Sequence, residues 1–274
     1  MEKHTSVQFL EVAQHDLAAA QLLYDHKFYS QAIFFLQQSI EKTMKAIGLI
    51  TEIVEFEQLA SHQVGHRAYK IQRIGGQLLL DKVAKILNSE ESHPTLLYFI
   101  PLPKQKLIEF QNEIHHSIKI IGGIHPENYA ELSSETYKEL FHSFEETAAF
   151  RLEISVEEFC HFMAKYFQNL YHKGLISNDV NTALVSFFKE EENVLRMIDG
   201  MEKALQIELW MGQVLSPLSI ITSAHEADSR YPDPETDWEH HPVTYYQAGL
   251  PIVDHLKELI HWQNKALGVV RNIF

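Results

Sequence analysis

Residues 28–46 read FYSQAIFFLQQSIEKTMKA. Ala32, Phe35, Leu36, Ser39, Ile40, Thr43, Ala46 and Ile47 recur three and four apart, which puts them on one side of an α-helix and marks that side as buried. Ala32, Ser39 and Ala46 stand two turns apart on it, small enough to let a neighbouring helix come close. Beside this face runs a second stripe of Gln38, Glu41, Lys42 and Lys45, with Glu41 preceding Lys45 in the favourable four-residue order. Taken alone, such a stripe reads as a solvated face.

Working upstream, Thr5 or Ser6 can cap a helix reaching about Tyr24, with Leu10, Ala13, Leu17, Ala20 and Tyr24 turned inward. Asp25-His26-Lys27 makes a tight corner, so the two helices form an antiparallel hairpin. Downstream, Ser61 can open a third helix carrying His62, His66, Ala68 and Ile71, which Gly75-Gly76 breaks or kinks. Pro94, Pro101 and Pro103 mark a loop, and Pro103 enters a helix that Gly122-Gly123 stops. Further helices are expected over 134–151, from a Ser155/Glu158 capping box to Gly174, and over 181–215 up to Pro217. A long polar loop, HEADSRYPDPETDWEHHPVTYY, precedes a final helix whose apolar face holds Ile252, Leu256, Leu259 and Ile260. Strand signals are scarce, so the fold class is all-α.

Composition narrows the function. The 274 residues are 45% hydrophobic and 22% charged, an ordinary globular balance with enough length for one large or two small domains. A formal net charge of −14 repels phosphate polymers, so nucleic-acid binding would require a local basic patch. The single cysteine, Cys160, excludes an internal disulfide framework and suits a reducing compartment. No apolar run approaches the roughly 20 residues of a membrane span, and the opening MEKHTSVQ lacks a secretory apolar core. A cytoplasmic protein without a membrane segment is expected.

The pattern Asp16-Leu17, Ala20, Leu23, Tyr29, Ala32, Phe34, Gln38, Glu41, Lys42 and Lys45-Ala46, followed far downstream by Ser229-Arg230-Tyr231-Pro232-Asp233, resembles the HEPN family of small helical domains. The resemblance covers residues 10–50 and 229–270. It implies an antiparallel four-helix bundle made of residues 1–90 and 217–274, with a helical insertion, 91–216, packed on it. It also implies a homodimer, a possible nucleotidyltransferase-like protein partner, and a framework in which Asp16, Glu41, Lys42, Lys45, Arg230 and Tyr231 meet. There Arg230 would offer its planar fork to a nucleotide or another small anion, or else pair with Asp16 or Glu41 and pin the last loop.

Many HEPN ribonucleases carry Arg, four to six residues, then His. None of Arg67, Arg73, Arg151, Arg196, Arg230 or Arg271 has a histidine at that distance. A non-catalytic or accessory binding module is therefore the leading expectation, with a toxin-type ribonuclease of degenerate motif as an alternative.

The 17 histidines suggest a further chemistry. His62 and His66 stand four apart, a metal-binding spacing, but without the adjacent glutamate of zinc proteases; they are carried as ligand-binding candidates. Glu-x-x-His occurs at Glu90/His93, Glu113/His116, Glu139/His142, Glu158/His161 and Glu258/His261, against about two expected from composition. Such pairs on two helices hold di-iron centres in ferritin-like bundles, so an oxidase using Glu113, His116, Glu139, His142, Glu158 and His161 is the alternative enzyme class, with no cofactor as the main expectation. Cys160 between Phe159 and His161 reads as a buried inert thiol, and Trp238, Tyr245 and Tyr246 as partner contacts or loop packing.

Overall fold

A computed structural model describes residues 2–59, 64–88, 104–151, 153–172, 174, 176–226 and 242–273. All regular structure among them is helical. The described chain forms two compact units: 1–77 with 117–150 and 206–274, and 78–116 with 151–205. The divisions thus fall at 77/78, 116/117, 150/151 and 205/206 rather than at 90/91 and 216/217, and residues 117–150 and 206–216 group with the two chain ends.

In the first unit, α1 (Glu2–Asp25) and α2 (Tyr29–Ile50) make the hairpin. Leu10, Ala13, Leu17 and Ala20 of α1 meet Ala32, Leu36, Ser39, Ile40, Thr43, Ala46 and Ile47 of α2, all buried. Close approach at Ser39 is direct, because its Oγ donates to the Ala13 carbonyl at 2.8 Å. Both ends of α2 are set by the same device. After α1, Lys27 takes a left-handed backbone (φ 63°), with Phe28 N bonding Leu23 O and Lys27 N bonding Tyr24 O; after α2, Glu52 does so (φ 56°), with Ile53 N bonding Gly48 O.

Further neighbours of α2 come from the far end of the chain. They are α10 (Ser216–Ala224) and α13 (Leu256–Ile273), with α11 (Pro242–Tyr245) and α12 (Pro251–Asp254) between them. Ile252, Leu256, Leu259 and Ile260 are buried as their spacing requires. From the middle of the chain, α6 (Ser134–Ala149), capped by Ser133, sends Phe144 edge-on to Trp262 of α13, and Trp210 reaches the same ring.

Several sequence signals resolve differently. The third helix, preceded by the short α3 (Phe56–Leu59), is α4 (Lys70–Asn88), and it runs unbroken through Gly75-Gly76. Gly75 is small because Ile53 packs there: a Cβ would stand 3.1 Å from the Ile53 side chain. The span 181–215 is two helices, α8 (Asn178–Phe187), capped by Ser177, and α9 (Glu191–Trp210). Pro217 does not end the path, because a π-turn, Met211–Leu215, widens the backbone just before it and α10 continues.

The run 191–224 is long and apolar enough by composition to cross a membrane, contrary to the sequence expectation. Half of its most apolar window is buried within the protein, and Ile207, Trp210, Met211, Val214, Leu215, Leu218 and Ile221 all belong to the core.

The second unit holds part of α5 (Lys104–Gly122) together with α7 (Val156–His172). Ser155 and Glu158 form the expected reciprocal cap of α7. Phe159, Met163, Tyr166 and Phe167 pack with Phe188 and Val194 as a small separate core.

Candidate functional site

The second stripe of α2 is not a solvated face. Glu41 is 5% exposed, and the side chains of Lys42 and Lys45 keep 20% and 11% of their surface. An unpaired charge at such depth is costly, so each has a partner. Lys45 Nζ donates to Glu41 Oε1 at 2.7 Å. Lys42 Nζ lies 2.8 Å from Asp16 Oδ2 on α1 and donates to Gln38 Oε1 at 2.9 Å. Gln38 Nε2 donates to Gln37 Oε1 at 2.7 Å, and Gln37 Nε2 reaches Glu41 Oε2 at 3.3 Å and the His66 carbonyl at 3.4 Å. His66 Nδ1 closes the chain, 3.3 Å from Glu41 Oε2.

Asp16, Gln38, Gln37 and Glu41 are thus strung together by Lys42, Lys45 and His66 into one polar seam. Two carboxylates face two ammonium groups, so the seam is internally neutral. It joins α1, α2 and the turn at 64–69. Asp16 and Glu41, the alternative partners expected for Arg230, are engaged by Lys42, Lys45 and His66. Arg230, Tyr231, His62 and Trp238 lie outside the described residues.

Residues 6–90 match the HEPN domain model. The match takes in α1 to α4, hence every described member of the seam, and it fits the helical hairpin found here. No curated protein and no solved structure matches the chain.

The matched segment packs against the last described helix of the chain. Gln263 of α13 is fully buried against α2, donating from Nε2 to Ser39 Oγ at 3.0 Å and Thr43 Oγ1 at 2.8 Å. Gln37 and Gln263 are buried framework residues that sequence reasoning missed. Gln37 adjoins the polar stripe in sequence and could have been drawn into it, and Gln263 stands seven after Leu256, four after Leu259 and three after Ile260, a polar side chain on the apolar face of α13.

The Glu-x-x-His pairs stay outside this core. Glu113, His116, Glu139, His142, Glu158, His161, Glu258 and His261 are all exposed, and Glu90 and His93 fall outside the described residues. Phe159 and Phe144 turn inward while His161 and His142 turn out; His142 meets Glu145 and Glu146 of its own helix. Among the described residues no three His, Cys, Asp or Glu gather as a metal cluster. Cys160 is partly buried and donates to the Phe188 carbonyl at 3.3 Å. Tyr246 is buried, its hydroxyl 3.1 Å from His225 Nδ1, so this aromatic packs the loop root. Burial pushes the His225 imidazole down to about 4 and raises the Tyr137 phenol.

Proposed function

We propose that this protein is a non-catalytic HEPN-like module that works by binding, as a homodimer, a nucleotide or another small anion. The observation that supports it best is the Glu41–His66 contact. With Gln37 on the His66 carbonyl, it fastens the 64–69 turn to a buried carboxylate at 3.3 Å and so presents the residues that follow in a fixed position. The missing Arg-to-His spacing takes away the family's ribonuclease chemistry, and the paired seam charges suit a support.

The test has two parts. The purified chain is incubated with a generic single-stranded RNA and, separately, melted against a panel of nucleotides. The reading expects intact RNA and a raised melting temperature with at least one nucleotide. RNA degradation lost on Arg230→Ala would replace it with the ribonuclease, and a flat panel would remove the ligand.

A further inference from the structure

In the second unit, α8 is a capped and closed helix that buries nothing. Ser177 accepts from Val180 N at its start and Phe188 N bonds the Leu184 carbonyl at its end, yet none of its ten residues is buried. Val180, Ala183 and Phe187 recur three and four apart, so they share one side of the helix. All three are exposed, Val180 at 45% and Phe187 at 43%. Leu184, one turn after Val180, packs against the small core together with Phe188. The apolar arc of α8 therefore continues past the surface that its own unit covers.

Single exposed apolar side chains are ordinary, but a stripe along a ten-residue helix is not, because so short a helix draws its stability from packing. The rim of the stripe is acidic. Asp179 stands in the first turn, and Glu190, Glu191 and Glu192 follow the last, all exposed. Glu192 pairs with Arg196 and Glu190 accepts from Asn193, but Asp179, Glu190 and Glu191 enter no ion pair among the described residues. Lys189 offsets one of these charges. The helix lies outside residues 6–90, so the matched family segment does not account for it.

We propose that the stripe of Val180, Ala183 and Phe187 is a docking surface for a basic amphipathic helix of a partner protein. Such a helix lays apolar residues, three or four apart, over the stripe and sends Lys or Arg from its flanks to the carboxylates at either end. Charge selects this occupant. A second copy would set Asp179, Glu190, Glu191 and Glu192 against their like, and the same groups repel an anionic bilayer. A helix with basic flanks covers the apolar residues and neutralises their rim together. Docking here neither needs nor excludes a small anion elsewhere in the chain.

The full chain is panned against a displayed library of random peptides of about 16 residues, roughly four helical turns, and the selected peptides are synthesised and titrated by fluorescence anisotropy. The surface requires binders whose apolar residues recur three or four apart with Lys or Arg beside them. Their affinity falls about tenfold or more for Val180→Ser/Phe187→Ser and about twofold or less for Leu22→Ser/Phe28→Ser, an exposed apolar pair of the first unit, with helicity unchanged in both. Glu190→Gln/Glu191→Gln weakens binding about threefold or more at low salt and flattens its salt dependence. Acidic binders, equal weakening by the two serine pairs, or no binders at all overturn the surface. A wild-type dimer that Val180→Ser/Phe187→Ser dissolves hands the stripe to a second copy, and binding to phosphatidylcholine vesicles lost in that variant hands it to a lipid surface. Either result overturns the partner helix.

Discussion

Gln263 Nε2 lies 2.8 Å from Thr43 Oγ1, a hydrogen bond across 220 residues of sequence in a site closed to water. The same amide reaches Ser39, while its own carbonyl oxygen has no partner. Removing this side chain takes a donor from two buried hydroxyls and leaves a void. Gln263→Ala should therefore destabilise the first unit by about 2–3 kcal/mol in urea unfolding, and Gln263→Leu, which keeps most of the volume, should cost less. Equal stability of Gln263→Ala and wild type would show that the bond does not hold the ends together.

Glu41 and Lys45 form the most buried ion pair of the seam. Deleting one member strands the other, so Glu41→Ala should lose about 3–5 kcal/mol. Glu41→Met/Lys45→Met should recover much of that loss, because two well-packed apolar chains need no partner. Additive losses in the double-mutant cycle would mean that the pair is not coupled.

Lys27 sits in a left-handed conformation that glycine adopts without strain. Lys27→Gly is expected to stabilise by a modest amount, about 0.5–1 kcal/mol, since the strain relieved exceeds the entropy glycine adds to the unfolded chain. A lower melting midpoint would contradict the assignment of this corner.

His225 gives the protein an acid sensitivity of defined sign. Its folded pKa, about 4, is below the unfolded value of 6.5, so the unfolded state binds the proton more readily. Stability from this group is complete above pH 6.5 and is lost as pH falls toward 4. Between pH 7 and 4.5 the wild type should lose roughly 2–3 kcal/mol more than His225→Gln. Parallel pH profiles would remove His225 as the cause.

How far the sequence discloses this structure depends on which forces are local. The buried side of α2 follows from the spacing of Ala32, Leu36, Ser39, Ile40, Thr43, Ala46 and Ile47, all of which are buried, while Phe35, expected on the same side, is partly buried. The state of the neighbouring stripe is not a local property. Glu41 is covered because His66 arrives from a turn, and Lys42 because Asp16 arrives from another helix, and neither shares the stripe's periodicity. Breaking signals misled for a similar reason. Gly75-Gly76 reads as a hinge until Ile53 is seen to need the space, and Pro217 reads as a stop until the π-turn before it absorbs the missing donor. In the four described pairs the Glu-x-x-His spacing does put both groups on one helix face, but that face is the outer one.

The docking of the first and last helices is most directly tested by native-state hydrogen exchange. If α2 (Tyr29–Ile50) and α13 (Leu256–Ile273) belong to one bundle, their core amides share the highest protection and open together, and Gln263→Ala lowers both to the same extent. Fast, independent exchange of α13 beside a fully protected α2 would contradict the account.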